Sequence, residues 1–335
     1  MHKKHVYALL LAAVFCAVLI SARNILRVDA QPLTVYIRAN GDVEPATVSI
    51  QRDGDVYTFT GDIAVDGSAT GLIIERDNMT LDGAGYRFSR LSVSVPVNGL
   101  ELTGRTNVTI KNLEVTTFFD GIVLNNSSNN KIQENTITNN NNDGVGLYSS
   151  WNNTVSGNTI TNSMWIGVRL FSSSNNNNVS GNNVTDNTYG VRLENSFNNT
   201  VSENIIADND CGIRTILSES NEFYHNHLNN NTVQANVTAG YVNTWDDGYP
   251  SGGNYWSDYV DVDVYSGPNQ DEAGSDGIWD NPYVIEEYNQ DNYPIIPEFS
   301  SVLIPLLLMI LTPLIARIYR TNRETLLKNA RAHTQ

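Results

Sequence analysis

A glycine recurs at Gly99, Gly121, Gly144, Gly167, Gly190 and Gly212, with spacings of 22, 23, 23, 23 and 22 residues. A repeat this short and this regular makes a solenoid. Each glycine opens an alternating motif: Gly-Leu-Glu-Leu at 99, Gly-Ile-Val-Leu at 121, Gly-Val-Gly-Leu at 144, Gly-Val-Arg-Leu at 167 and 190, and Gly-Ile-Arg-Thr at 212. Period-two alternation marks a half-buried strand, whose first and third residues after glycine face inward.

A second motif follows in every period: Lys-Ile-Gln-Glu-Asn-Thr-Ile at 131, Thr-Val-Ser-Gly-Asn-Thr-Ile at 154, and counterparts at 178, 200 and 222. Two short β-branched strands flank an Asn at a bend. Stacked about 4.8 Å apart, these Asn side chains form a hydrogen-bonded ladder. That predicts a structural role for Asn112, Asn135, Asn158, Asn182, Asn204 and Asn226. Asn also tolerates the left-handed backbone that tight bends need. The expected fold is all-β: a right-handed parallel β-helix of 22–23-residue coils with caps at both ends. Uncovered terminal coils expose core and sheet edge, so capping is required. The expected limits are an N-terminal cap and entry coil over 31–70, coils over 71–238 and a C-terminal cap over 239–296.

Both chain ends point to a membrane. Two lysines precede an apolar run at residues 6–20, which reads as a secretory signal or signal anchor within 1–30. Residues 299–315 are nearly all apolar and are followed by Arg317, Arg320 and Arg323. About 20 helical residues cross the hydrocarbon core, and basic flanks stay cytoplasmic. The expectation is a transmembrane helix over 297–319, a basic cytoplasmic tail over 320–335, and a body displayed at the cell surface. Without residues 1–30 and 317–335, 11 basic and 34 acidic residues remain, a net charge of −23. Such a body repels phosphates, which argues against nucleic acid as a partner. The two cysteines are Cys16, in the N-terminal apolar run, and Cys211. After signal cleavage one thiol is left, so the fold is held by its own core rather than by a disulfide.

These coils, with Asp-Gly-Ala-Gly at 82, Gly-Gly-Asn-Tyr-Trp-Ser-Asp-Tyr at 252 and Gly-Ser-Asp-Gly-Ile-Trp-Asp-Asn-Pro-Tyr at 274, resemble archaeal surface proteins with a NosD-type β-helix domain. That resemblance covers residues 45–296. It implies a place in the wider class of carbohydrate-binding and carbohydrate-cleaving parallel β-helices, and, by the family name, periplasmic copper handling. Pro297-Glu298-Phe299 before the apolar run resembles the sorting signal of archaeal surface proteins.

Copper prefers His, Cys and Met clusters. The body offers His225 and His227, read as two apart on one strand face, with Cys211, Met79 and Met164. A glycan hydrolase needs two carboxylates about 5–9 Å apart. Stacked coils supply such pairs: Asp186 with Asp208, Asp120 with Asp143, and Asp210 beside Asp208. The Gly-His-Gly and Arg-x-Lys motifs of polygalacturonase-like β-helices are absent. Arg169, Arg192 and Arg214 take one position in three successive coils and point outward, and Tyr148 and Phe171 share the position two further on. An Arg row among exposed aromatics suits a sugar or anionic polymer. Calcium is the expected cofactor if there is one, at Asp271, Asp276 and Asp280. Sequons at Asn125 and Asn152 are expected glycosylation sites. The favoured function is a membrane-anchored extracellular protein that binds carbohydrate or builds the envelope. A polysaccharide hydrolase or lyase is the alternative, and copper handling the second alternative.

Overall fold

A computed structural model describes residues 30–31 and 34–296, apart from 67–70, 92–94 and 239. The expected signal segment, transmembrane helix and basic tail lie outside the described residues. Among the described residues, no helix is long and apolar enough to cross a membrane.

The coil at Gly144 shows how sequence becomes solenoid. Asp143–Tyr148 forms one strand, Thr154–Ser156 a second and Thr159–Thr161 a third. Each pairs in parallel with its counterpart one coil on: Ile166–Phe171, Asn178–Ser180 and Asn183–Thr185. Repetition builds sheets of 10, 10 and 9 strands around one core. We call them the first sheet (Ala30–Gln31 to Tyr255–Trp256), the second (Val35–Ile37 to Val233–Val237) and the third (Ile50–Asp53 to Glu222–Tyr224). The chain is therefore a parallel β-helix. Val145, Leu147, Val155 and Ile160 of this coil are fully buried, and so are their equivalents above and below. Burial of one such side chain stabilises by roughly 1.5–3 kcal/mol.

Glycine before each second-sheet strand is a steric requirement. A Cβ on Gly144 would sit 2.5 Å from Ile160 Cγ2 and 2.7 Å from the Gly167 carbonyl oxygen. Corners follow a two-residue rule. The first residue is left-handed, the second carries a side chain that bonds the next coil. Glu134, Gly157, Gly181, Glu203 and His225 all have φ between 55° and 64°. Asn135, Asn158, Asn182, Asn204 and Asn226 follow them. In each step the amide oxygen of one Asn accepts from the backbone N–H and Nδ2 of the Asn before it, at 2.9–3.1 Å.

Two expectations change here. Asn112 is not a rung; it is the left-handed residue (φ 52°) before Leu113, whose backbone N–H donates to Asn135 Oδ1 at 3.1 Å. Nor do the ladder residues themselves take the left-handed conformation. A second ladder runs Asn130, Asn153, Asn177, Asn199, Asn221, Asn243. A third joins Asn187, Asn209 and Asn231. At another corner, the hydroxyls of Ser150, Ser174 and Ser218 accept from the backbone N–H groups of Ser127, Ser150 and Ser196.

Asn254 extends the first ladder beyond Asn226, and the cap ends the first and second ladders with alternate residues of one strand, Asn289–Asp291. Asn289 Oδ1 accepts from the Asn243 N–H at 2.9 Å and from Trp245 Nε1 at 3.1 Å. Asp291 Oδ2 accepts from the Asn254 N–H at 2.6 Å and Trp256 Nε1 at 2.8 Å. Both residues are fully buried. Burial pushes the Asp291 carboxyl up to about 7, against the hydrogen bonds it accepts.

Asn204→Leu orphans the buried Asn182 donors. It should destabilise by about 3 kcal/mol in urea unfolding, whereas Asn129→Gly, which keeps the left-handed backbone of an exposed corner, should change little. Asp291 binds its proton more tightly folded than unfolded. Its contribution is complete below the ordinary value of 3.8 and is lost as pH rises through about 7. The protein should therefore melt higher near pH 5 than near pH 8, and Asp291→Asn should reduce that difference.

Candidate functional site: the outer face of the second sheet

The departures from the repeat gather on the outer face of the second sheet. Gly146, Arg169, Arg192 and Arg214 are register partners in four successive strands. Tyr148, Phe171, Glu194 and Ile216 form the neighbouring column. Strand alternation turns both columns away from the core, and the Arg side chains are 14–19% exposed at 192 and 169.

Aromatic rings lie beside the guanidinium groups. Arg169 lies 4.7 Å from the Phe171 ring centroid and 5.6 Å from that of Tyr148. Arg192 and Arg214 lie 5.3 and 5.8 Å from that of Tyr189. Trp165, 44% exposed, meets Tyr189 edge to face. Glu194 is set between two of the cations, at 2.8 Å from Arg192 Nη2 and 3.9 Å from Arg169 Nη2. Arg214 makes no ion pair among the described residues. The Nε atoms of Arg169 and Arg192 are buried without an acceptor. A cationic strip thus crosses a protein whose overall charge is −16.

At one end of the strip stands a buried acid centre. Asp120 and Asp143 each precede a repeat glycine, one coil apart. Asp120 Oδ1 accepts from Asn142 Nδ2 at 2.7 Å and from the Asp143 N–H at 3.0 Å. Asp143 is fully buried. Its Oδ2 accepts from the Tyr148 hydroxyl at 2.9 Å and faces Arg169 Nη1 at 3.5 Å, while Oδ1 has no partner. Burial, then the Asp120 charge, pushes the Asp143 carboxyl up to about 6. Burial also raises Asp120, against the hydrogen bonds from the Asp143 N–H and Asn142. Gly146 makes the arrangement fit: a Cβ there would lie 2.6 Å from Tyr148 Cε2, so the ring lies across the place an Arg takes in the next three coils. The sequence signal was Gly-Val-Gly-Leu, a motif that drops its outward side chain. The pairing of Tyr148 with Asp143 was not legible from it.

The other candidates fall elsewhere. Asp186, Asp208 and Asp210 do line one open depression with Asn162, Met164 and Thr188. Asp186 and Asp208 are also left-handed corner residues, with φ of 58° and 56°, in the column of Asn139, Asn162 and Asn230. Asp208 accepts from Asn230 Nδ2 at 2.5 Å, and Asp186 from the Thr161 hydroxyl at 3.3 Å. In the cap, Asp280 accepts from the Val264 and Tyr265 N–H groups, and Asp276 from the Ile278 N–H and Gln270. Asp271 is exposed. Asp276 and Asp280 thus fasten loops of the cap. His225 and His227 are not on one strand face. They flank the Asn226 corner, between Glu222–Tyr224 of the third sheet and His227–Asn229 of the first. Asn152 is exposed at a left-handed corner, and Asn125 is half-buried at a strand end.

Residues 48–260 match the family model described as periplasmic copper-binding protein (NosD). The chain belongs to the NosD family. A comparison with curated proteins finds no match. Among solved structures, a variant of the periplasmic alginate epimerase AlgG superposes with a TM-score of 0.50 at 19% identity, over 60% of this chain and 50% of that one. This chain thus spans about half the length of that epimerase. Pectate lyase Pel9A gives 0.36 at 14% identity, over 75% of this chain and 84% of that one. Identity this low shows the fold alone.

The family description invites a copper test, and the donor set of the coils does not fit. No three His, Cys, Asp or Glu residues among those described gather where they could hold a metal. Met79 is buried in the core, Met164 stands exposed, and burial pushes the Cys211 thiol up to about 11. A thiol held protonated is a poor ligand. His225→Ala and His227→Ala should each leave copper uptake by the protein unchanged in equilibrium dialysis.

Proposed function

We propose that this NosD-family protein binds an anionic carbohydrate polymer of the cell envelope along the outer face of its second sheet, on the extracytoplasmic side of the membrane. The observation that carries this reading is the row Arg169–Arg192–Arg214 with Tyr148, Phe171 and Tyr189 beside the guanidinium groups and Trp165 against Tyr189. Aromatic faces stack on sugar rings, and guanidinium forks grip carboxylates. Three cations about 4.8 Å apart repel one another, and Glu194 offsets only part of that charge. A ligand bearing carboxylates at intervals compensates the rest. The likeness of the fold to a periplasmic alginate epimerase supports a ligand of this class. Apolar runs at both ends of the chain support the location.

The Arg192→Ala, Arg214→Ala double variant should bind an immobilised polyuronate at least about tenfold more weakly than wild type, with salt weakening the wild-type interaction. Equal binding by the two proteins on a glycan array would place the site elsewhere.

A further inference from the structure

We propose that ligand binding at this face is coupled to uptake of one proton by the Asp120–Asp143 pair, which holds Arg169 back when ionised and releases it to a glycan carboxylate when protonated. This inference rests on the carbohydrate-binding reading and adds to it a mechanism of control.

Arg169 is held loosely from two sides. Its guanidinium lies 3.5 Å from Asp143 Oδ2 and 3.9 Å from Glu194 Oε2, and its Nε has no acceptor. Neither contact is the short bidentate bond that would commit the group to an internal partner. Asp143 faces a short list of polar groups: Asp120 and Asn142 before it, Tyr148 on its own strand and Arg169 from the next, with Glu194 behind Arg169. Only Arg169 among them is a cation. A ligand carboxylate that draws Arg169 outward leaves two buried carboxylates with no positive charge beside them. That is costly in a desolvated site unless the pair takes up a proton. Asp143 Oδ1, buried and unpartnered, has room in its hydrogen-bonding inventory for that proton. Tyr148 can keep its bond to Oδ2 in either state, because a hydroxyl donates to a neutral carboxyl as well as, more strongly, to an ionised one.

The sign follows from linkage. If binding takes up a proton, affinity falls as pH rises through the range in which free Asp143 ionises. That range, near 6, lies above the ordinary carboxylate range, so a uronate ligand stays charged throughout.

The test is titration calorimetry of the full chain, in detergent, with a sodium oligogalacturonate at about pH 5 and about pH 8. Affinity should fall by about tenfold or more between them. Asp143→Asn should bind at about pH 8 as tightly as wild type does at about pH 5, and should show no such fall. Tyr148→Phe removes a bond that favours the ionised form, so it should move the midpoint of the fall to higher pH; it keeps the test decisive if Asp143→Asn fails to fold. Wild-type affinity equal at both pH values overturns the coupling and leaves the binding reading intact. A fall that persists unchanged in Asp143→Asn also overturns it. No binding at either pH overturns both.

Discussion

Everything in this structure depends on the buried side-chain hydrogen bond at each corner, most often from an Asn amide. A chain that turns three or four times per coil points backbone N–H groups into places that water cannot reach. Each must be bonded, since an orphaned buried donor costs about 1–3 kcal/mol. Asn answers this with both ends of its side chain. Asn182 shows the pattern: its Nδ2 donates to the Val155 carbonyl and to Asn204 Oδ1, while its own Oδ1 receives the Asn158 backbone N–H. Such a residue is satisfied only when it has equivalent neighbours on both sides. The ladder therefore propagates the fold and also demands an end. Asn289 and Asp291 supply that end as acceptors, which is why the cap packs its Trp245 and Trp256 indoles against the last coil around those two side chains.

Translational repetition has a second consequence. A surface that repeats without variation carries no address, because any coil could stand for any other. The second sheet escapes this through substitutions in its outward column and at the largely buried position before each repeat glycine. Gly146 in the Arg column removes a side chain and lets Tyr148 lie flat. Asp120 and Asp143 precede their glycines where later coils carry Ile166, Tyr189 and Cys211. Each change is small. Together they place an acid centre at one end of the cationic row.

The coils were legible from spacing and alternation, and the glycines and the five central Asn rungs fell where those patterns put them. Asn112 was misplaced because two adjacent corner positions both favour Asn for different physical reasons, one for a left-handed backbone and one for an amide side chain. The doublets Asn129-Asn130, Asn152-Asn153, Asn176-Asn177 and Asn198-Asn199 held the key to a second ladder. His225 and His227 looked like one strand face because a period of two runs unbroken through their sequence, whereas the backbone turns between them. The Arg row was readable, since it needs only register. The acid centre was not: it depends on where Tyr148 folds over Gly146, and no periodicity encodes that.

The limits of the cationic row say something about its ligand. The row stops at Gly146 on one side. On the other, the register partner of Arg214 is Asn236, and Ile216 replaces the Tyr–Phe–Glu column. Three Arg residues at coil spacing reach only about 10 Å from first to last. A strip of that length holds a short stretch of polymer and leaves the rest free. On the proposed function, binding at one such strip is modest by itself, and retention of a long chain would come from many copies of the protein holding it at once. The membrane display proposed above would suit that task, because a fixed array of weak sites grips a polymer that a single dissolved copy would release.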